Sequence, residues 1–239
     1  MTDAKFWDGV AEKYAKSPIG DMDAYEATLT RVRSYLRPTD AVLEIGCGTG
    51  TTALKLAPFA GRYLASDIST AMIGIGRDKA AAEGVRNLGF ATAPAETPPE
   101  GSFDAVLSFN LLHLVDDLET VLAQIATRVK PGGLFLSKTI CLAGPGSPVW
   151  MRALLWGLPL MKAVGKAPSV VHRFTVAELE AAVIRAGFEI IETGDYPARP
   201  PRRFIVARKP GETAARPLTG SASAGPRSRS SPRCPRRGR

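Results

Sequence analysis

The amino-acid sequence predicts an α/β fold, a doubly wound, seven-stranded, mostly parallel sheet whose last strands form an antiparallel C-terminal hairpin. Three observations predict it. Short apolar runs alternate with stretches of helical period, the pattern of a parallel sheet covered on both faces. The first of these runs passes straight into a glycine-rich bend, and the last two are joined by a Pro-rich loop at what reads as the sheet edge. At 239 residues the chain suits one large domain.

Taken in order, the elements begin with a helix over Tyr25 to Leu36, where Leu29, Val32, Tyr35 and Leu36 recur at helical spacing until Pro38 stops them. Ala41 to Ile45 is a short apolar strand leading to Gly46-Cys47-Gly48-Thr49-Gly50, and Thr51 to Leu56 opens the next helix. Arg62 to Ser66 is a second strand that ends at Asp67. The helix after it, through about Ala82, is weakened by Gly74 and Gly76. A weak third strand covers Phe90 to Ala93, and Pro94 to Gly101 is a loop. Asp104 to Phe109 is the fourth strand, Leu118 to Arg128 a helix, and Pro131-Gly132-Gly133 a turn before the strand Leu134 to Thr139. Thr175 and Glu178 have capping-box spacing for a helix that ends at Gly187. Phe188 to Thr193 and Arg203 to Ala207 complete the hairpin.

Composition narrows the function classes. No apolar run reaches the roughly 20 residues of a membrane helix, because Val149 to Val164 is broken by Arg152, Pro159 and Lys162. The N-terminal residues lack an apolar signal region, so a cytoplasmic address is expected. Cys47, Cys141 and Cys234 are not spaced for a zinc site, and with only His113 and His172 no metal is expected. The net charge of +8 belongs wholly to the segment from Arg208 to Arg239, which has nine basic residues and one acid, while residues 1–207 are neutral. That segment is rich in Pro, Gly and Ser, and Leu218 is its one large aliphatic residue. It reads as disordered, either a solvated appendage or a basic arm touching nucleic acid or an anionic membrane.

The chemistry starts at the first strand. Three glycines two residues apart, where a strand turns into a helix, let a ligand approach bare backbone and face a helix N-terminus. The spacing is G-x-G-x-G and not the dinucleotide pattern, because Thr51 stands where a third glycine would fall, and no Gly-Lys-Ser/Thr follows. Asp67 ends the neighbouring strand, where its carboxylate can lie beside the bend and accept both hydroxyls of a ribose. It could equally cap the following helix, a role open also to Ser69.

These residues resemble the class I S-adenosylmethionine-dependent methyltransferases, in particular the small-molecule branch that includes quinone-biosynthesis enzymes. The resemblance runs from about Tyr14 to Arg208 and rests on four ordered matches: Glu44 to Gly50, Ser66 to Ser69 with Met72, Gly101 to His113, and Val129 to Leu134. It implies a Rossmann-like sheet and S-adenosyl-L-methionine as cofactor. Glu44, Gly46, Cys47, Gly48 and Gly50 would hold the methionine end, Asp67 the ribose, and Ile68 and Met72 the adenine. Asn110 and Leu111 follow the fourth strand, and Tyr14 resembles an N-terminal tyrosine that closes over the cofactor. Where relatives often carry an acid that bonds the adenine amino group, this chain has Pro94, so Ala95 backbone and Glu96 are the expected substitutes.

The expected organisation is an N-terminal helical cap over residues 1–36, a methyltransferase domain over 37–208 with a lid insertion at 142–174, and a basic tail over 209–239. Trp150, Met151, Leu154, Leu155, Leu158 and Met161 recur at helical spacing in the insertion, which suits a hydrophobic acceptor or simple packing on the sheet. His113 is the candidate general base, near the C-terminal end of the fourth strand, with a pocket-lining or capping role as the alternative. The expected reaction is in-line transfer of a methyl group to a small acceptor. Two other readings share this fold: a nucleic-acid methyltransferase using the tail, against which Asn110-Leu111-Leu112-His113 lacks the usual base-binding motif, and a NAD-dependent oxidoreductase, against which the glycine spacing argues.

Overall fold

A computed structural model describes residues 3–143, 168–198 and 201–211. The elements are α1 (Asp3–Lys16), α2 (Met22–Arg33), β1 (Ala41–Ile45), α3 (Thr51–Leu56), β2 (Arg62–Asp67), α4 (Thr70–Ala82), β3 (Leu88–Thr92), β4 (Phe103–Phe109), α5 (Leu118–Arg128), β5 (Val129–Ile140), α6 (Val176–Arg185), β6 (Glu189–Ala198) and β7 (Pro201–Arg208). The sheet has seven strands in the order β3-β2-β1-β4-β5-β7-β6. Its first four pairings are parallel and the two involving β7 are antiparallel, as the sequence predicts.

Alternation along the strands sorts the apolar residues into two layers. On β1, Leu43 and Ile45 face Leu122, Ile125, Leu179 and Val183 of α5 and α6. Val42 faces the other way, toward Leu29 and Val32 of α2, Leu54 of α3 and Ile73 of α4. Helices on both faces leave the carboxyl ends of the parallel strands as the open edge where α/β sheets bind ligands.

Several boundaries differ from the sequence reading. The second helix begins at Met22, because Asp21 caps it by accepting from the Ala24 N–H at 2.9 Å. Pro131-Gly132-Gly133 is no separate turn but an irregularity inside β5. The ladder passes from Phe103 opposite Val129 to Ala105 opposite Leu134, so the extra residues bulge, and Gly132 takes a φ of +76°. Gly132 and Gly133 are instead tied to the residue after β7, where the Gly132 N–H donates to the Lys209 carbonyl and the Lys209 N–H to that of Gly133. Lys209, expected at the start of the tail, therefore belongs to the folded domain. Its Nζ also donates to the carbonyls of Ala126 and Val129 at 2.7 and 2.9 Å, closing the C-terminus of α5. The expected cap over 1–36 divides: α1 packs on α4, whereas α2 packs on α3 and β6, where Arg31 and Tyr35 bond Glu192. Trp150 to Met161, read as a lid helix, and the tail from Glu212 onward lie outside the described residues.

Candidate active site

The glycine bend and the end of β2 form one hydrogen-bonded unit. The Gly46 and Cys47 N–H groups both donate to the Ser66 carbonyl, at 2.8 and 2.9 Å. Asp67 reaches back across the sheet: its Oδ2 accepts from the Gly48 N–H and its Oδ1 from the Ser69 N–H, each at 2.9 Å. Ser69 is the cap of α4, accepting from the Met72 N–H at 3.1 Å, so Asp67 is left to the bend. Burial pushes the Asp67 carboxyl above its ordinary range, opposed by the Ser69 and Gly48 N–H groups. A carboxylate offers about four acceptor positions. The two bonds leave capacity on both oxygens.

Beside this unit lies a cavity of about 400 Å³. Its floor is Gly46, Gly48 and Asp67; Ile68 and Met72 form one wall; Ala93, Ala95 and Glu96 form the side below β3. Phe109, Asn110, Leu111, Leu114, Val115 and Asp116 close it from the end of β4. Asn110 has a φ of +55°, a left-handed conformation that asparagine tolerates better than most residues and that turns the chain sharply after β4. Asp3, Trp7 and Tyr14 line it from α1, together with Ser169. Two contacts hold α1 there. Asp8 accepts from the Ser69 hydroxyl at 2.6 Å and the Ala71 N–H at 3.0 Å, and Asp3 accepts from the Ser169 N–H and hydroxyl at 2.9 and 2.8 Å.

A methyltransferase-domain family profile matches residues 42–133, which span the glycine bend, Asp67 and the turn after β4. A ubiquinone biosynthesis O-methyltransferase of Acinetobacter baumannii (strain ACICU) is 29% identical over 193 residues, covering 79% of each chain. A ubiquinone biosynthesis O-methyltransferase of Sinorhizobium fredii is 37% identical over 101 residues, 41% of this chain and 40% of the relative, so the match spans about two fifths of that enzyme's length. Among solved structures, the DhpI–SAH complex superposes with a TM-score of 0.66 at 22% identity, covering 88% of this chain and 96% of that one, and so has the same fold. These matches make the chain a methyltransferase, similar to the class I S-adenosylmethionine-dependent enzymes. S-adenosylmethionine is that family's cofactor, and the residues present fit it. At Gly48 a Cβ would meet only the Tyr14 ring, at 3.6 Å, so bare backbone faces open space under that ring. At Gly46 a Cβ would stand 2.8 Å from Leu111, and the φ values of both glycines, +73° and +54°, disfavour any side chain.

Not every expected site residue of this methyltransferase lines the cavity. Tyr14, Gly46, Gly48, Asp67, Ile68, Met72, Ala95, Glu96, Asn110 and Leu111 do. Glu44 does not: it is 2% exposed and accepts from the Tyr63 hydroxyl at 2.6 Å, because strand alternation sends it to the face shared with Val42. Burial raises its pKa to about 7, against the Tyr63 hydrogen bond. Cys47 is buried, its thiol pushed well up by burial. Gly50 serves packing, since a Cβ there would lie 2.8 Å from the Phe90 ring. His113, the candidate base, is outside the lining. Its carbonyl accepts from the His172 N–H at 2.7 Å, and burial, then Arg202, then His172 lower its pKa to about 4, so the ring is neutral at pH 7. Asp3, Trp7, Leu114 and Ser169 also line the cavity, and of these Asp3, Leu114 and Ser169 carry no local sequence signal. Trp7 shares the helical face of Tyr14 by its seven-residue spacing, which an amphipathic reading of α1 could have found.

Proposed function

We propose that this chain transfers the methyl group of S-adenosylmethionine to a small acceptor by in-line displacement. The single observation that carries the proposal is the Asp67–Gly48 hydrogen bond at the floor of the cavity, which presents a partly satisfied carboxylate beside bare backbone. The cofactor, when bound, supplies an electrophilic methyl on a sulfonium, so the protein's task is alignment and exclusion of water. Asp67 retains acceptor capacity for the two ribose hydroxyls, Met72 and Ile68 offer an apolar wall to the adenine, and Ala95 and Glu96 stand where Pro94 removes the usual acid. Leu111, Leu114 and Val115 keep the acceptor side dry. Tyr14 lies over Gly48 and covers the opening from α1. A small-molecule acceptor is supported by the similarity to ubiquinone biosynthesis O-methyltransferases.

Calorimetric titration with S-adenosylmethionine tests this reading. Asp67→Ala is expected to weaken binding at least about tenfold, as removal of a charged hydrogen-bond acceptor does. Gly48→Val places a branched side chain at φ +54° in the cavity floor and abolishes binding. Unchanged affinity in both variants, with unfolding transitions like the parent's, refutes the site.

A further inference from the structure

Beyond the donor cavity, where β4, β5 and β7 end side by side, the protein gathers positive charge that no described acid neutralises. Lys138 of β5 lies opposite Phe109 of β4 in register, and its carbonyl accepts from the Asn110 N–H at 2.7 Å, so it adjoins two cavity-lining residues. Only 5% of Lys138 is exposed, and its Nζ is held by the Thr28 hydroxyl at 2.8 Å and, more weakly, the Ala24 carbonyl at 3.5 Å. Arg202 of β7 lies opposite Ile140, two residues further along β5. Its Nε is buried without a hydrogen-bond partner, as is His113 Nδ1. Among the described residues neither Lys138 nor Arg202 forms an ion pair, whereas the adjacent Arg203 is paired with both Glu180 and Asp195, and Arg31 with Glu192. A buried cation with only neutral partners is unfavourable unless something else brings the counter-charge.

We infer that the methyl acceptor carries an anionic oxygen group, a carboxylate or a phosphate, received by Arg202 and Lys138 beside the donor cavity. The inference rests on the donor-site reading above and deepens it. Arg202 is the half-buried member of the pair, and its planar fork matches either oxyanion, while Lys138 beneath it adds a fixed charge. The electrostatics agree. Burial and then Arg202 lower the Lys138 pKa to about 8, with Asp21 the one acid acting against them, and Arg202 likewise weighs on His113. Burial pushes the Tyr14 pKa up, with Asp67 and Glu44 adding to the shift and Arg202 opposing it. An anion seated at Arg202 would stand near Lys138, whose carbonyl holds the Asn110 turn. The apolar Phe109, Leu111 and Leu114 line the cavity from the end of β4, which suits an acid with an apolar body.

Calorimetry on the full chain saturated with S-adenosylhomocysteine tests it, with benzoate, octanoate and phenyl phosphate as probes and benzamide and octanamide as neutral counterparts. Saturable binding of acids but not amides is expected, and the carboxylate and phosphate probes show which oxyanion fits. Arg202→Gln and Lys138→Met should each weaken acid binding about tenfold or more while leaving donor affinity and the unfolding transition near the parent's. Should Lys138→Met fail to fold, Arg202→Gln and the acid-to-amide comparison in the parent still decide. Equal binding of acids and amides, no acid binding in a protein that binds its donor, or acid binding indifferent to Arg202→Gln overturns the inference. A chain that binds no donor at all overturns the donor-site reading instead, and this one with it.

Discussion

Glu44 shows how one residue's surroundings set a measurable pH response. Its carboxyl is wholly enclosed and titrates near 7 instead of the ordinary 4.5. Between those values the folded protein holds a proton that the unfolded chain has released. The stability this group contributes is therefore full below about 4.5 and lost as pH rises through about 7. The loss is on the order of 3 kcal/mol at most. Glu44→Gln keeps an acceptor for Tyr63 and removes the titration, so urea unfolding at pH 5 and pH 8 should show a gap in the parent that the variant lacks. His113 acts in the opposite direction. Its pKa falls from 6.5 to about 4, so the unfolded chain takes the proton first and stability drops as pH falls through that window. The position of Glu44 was legible in the sequence as part of the glycine motif, but its direction was not, because a motif gives spacing while strand alternation gives the face. The same holds for His113, which stands two residues past Leu111 and yet misses the cavity wall.

At the scale of elements, the contact between α4 and β3 decides how tightly the cavity's far side is built. Gly76 looked like a weak point in a helix, and on propensity alone alanine would gain about 1 kcal/mol there. A Cβ at that place would, however, stand 2.6 Å from the Phe90 ring, on the same ring edge that a Cβ at Gly50 would approach to 2.8 Å. A contact this short forces the ring to shift, so overpacking, typically about 1–3 kcal/mol, outweighs propensity. Gly76→Ala is expected to lose about 1 kcal/mol in chemical denaturation, and Phe90→Leu in the same chain should restore part of it; a stabilised single variant contradicts this packing. Sequence patterning recovered the order and type of the elements because local periods and caps encode them. The Thr175–Glu178 capping box, for example, stands as read. It missed the extent of β3 and β5, whose residues are held by partners distant in sequence: the Tyr63 N–H donates to the Asn87 carbonyl, and Lys209 to Gly133.

For the whole molecule, most of the net charge lies beyond the described residues. Through Gly211 the chain has a net charge of +2, and the remainder holds the rest of the +8. Every residue lining the cavity precedes that point. A protein cut after Gly211 is therefore expected to bind S-adenosylmethionine with unchanged affinity and to lose retention on an immobilised polyanion such as heparin. A cut before Lys209 is a different experiment, because it strips the Nζ that closes α5 and should lower the unfolding temperature. Among the described residues no helix is long and apolar enough to cross a membrane.

The clasp between Asp3 and Ser169 joins positions 166 apart in the chain. The Asp8 contacts with Ser69 and Ala71 can seat α1 as soon as α4 has formed, whereas the Asp3 contact must wait until Ser169 has been made. The seat of Trp7 and Tyr14 over the donor floor is thus set in two stages, first by a contact between early positions and then by one that waits for Ser169.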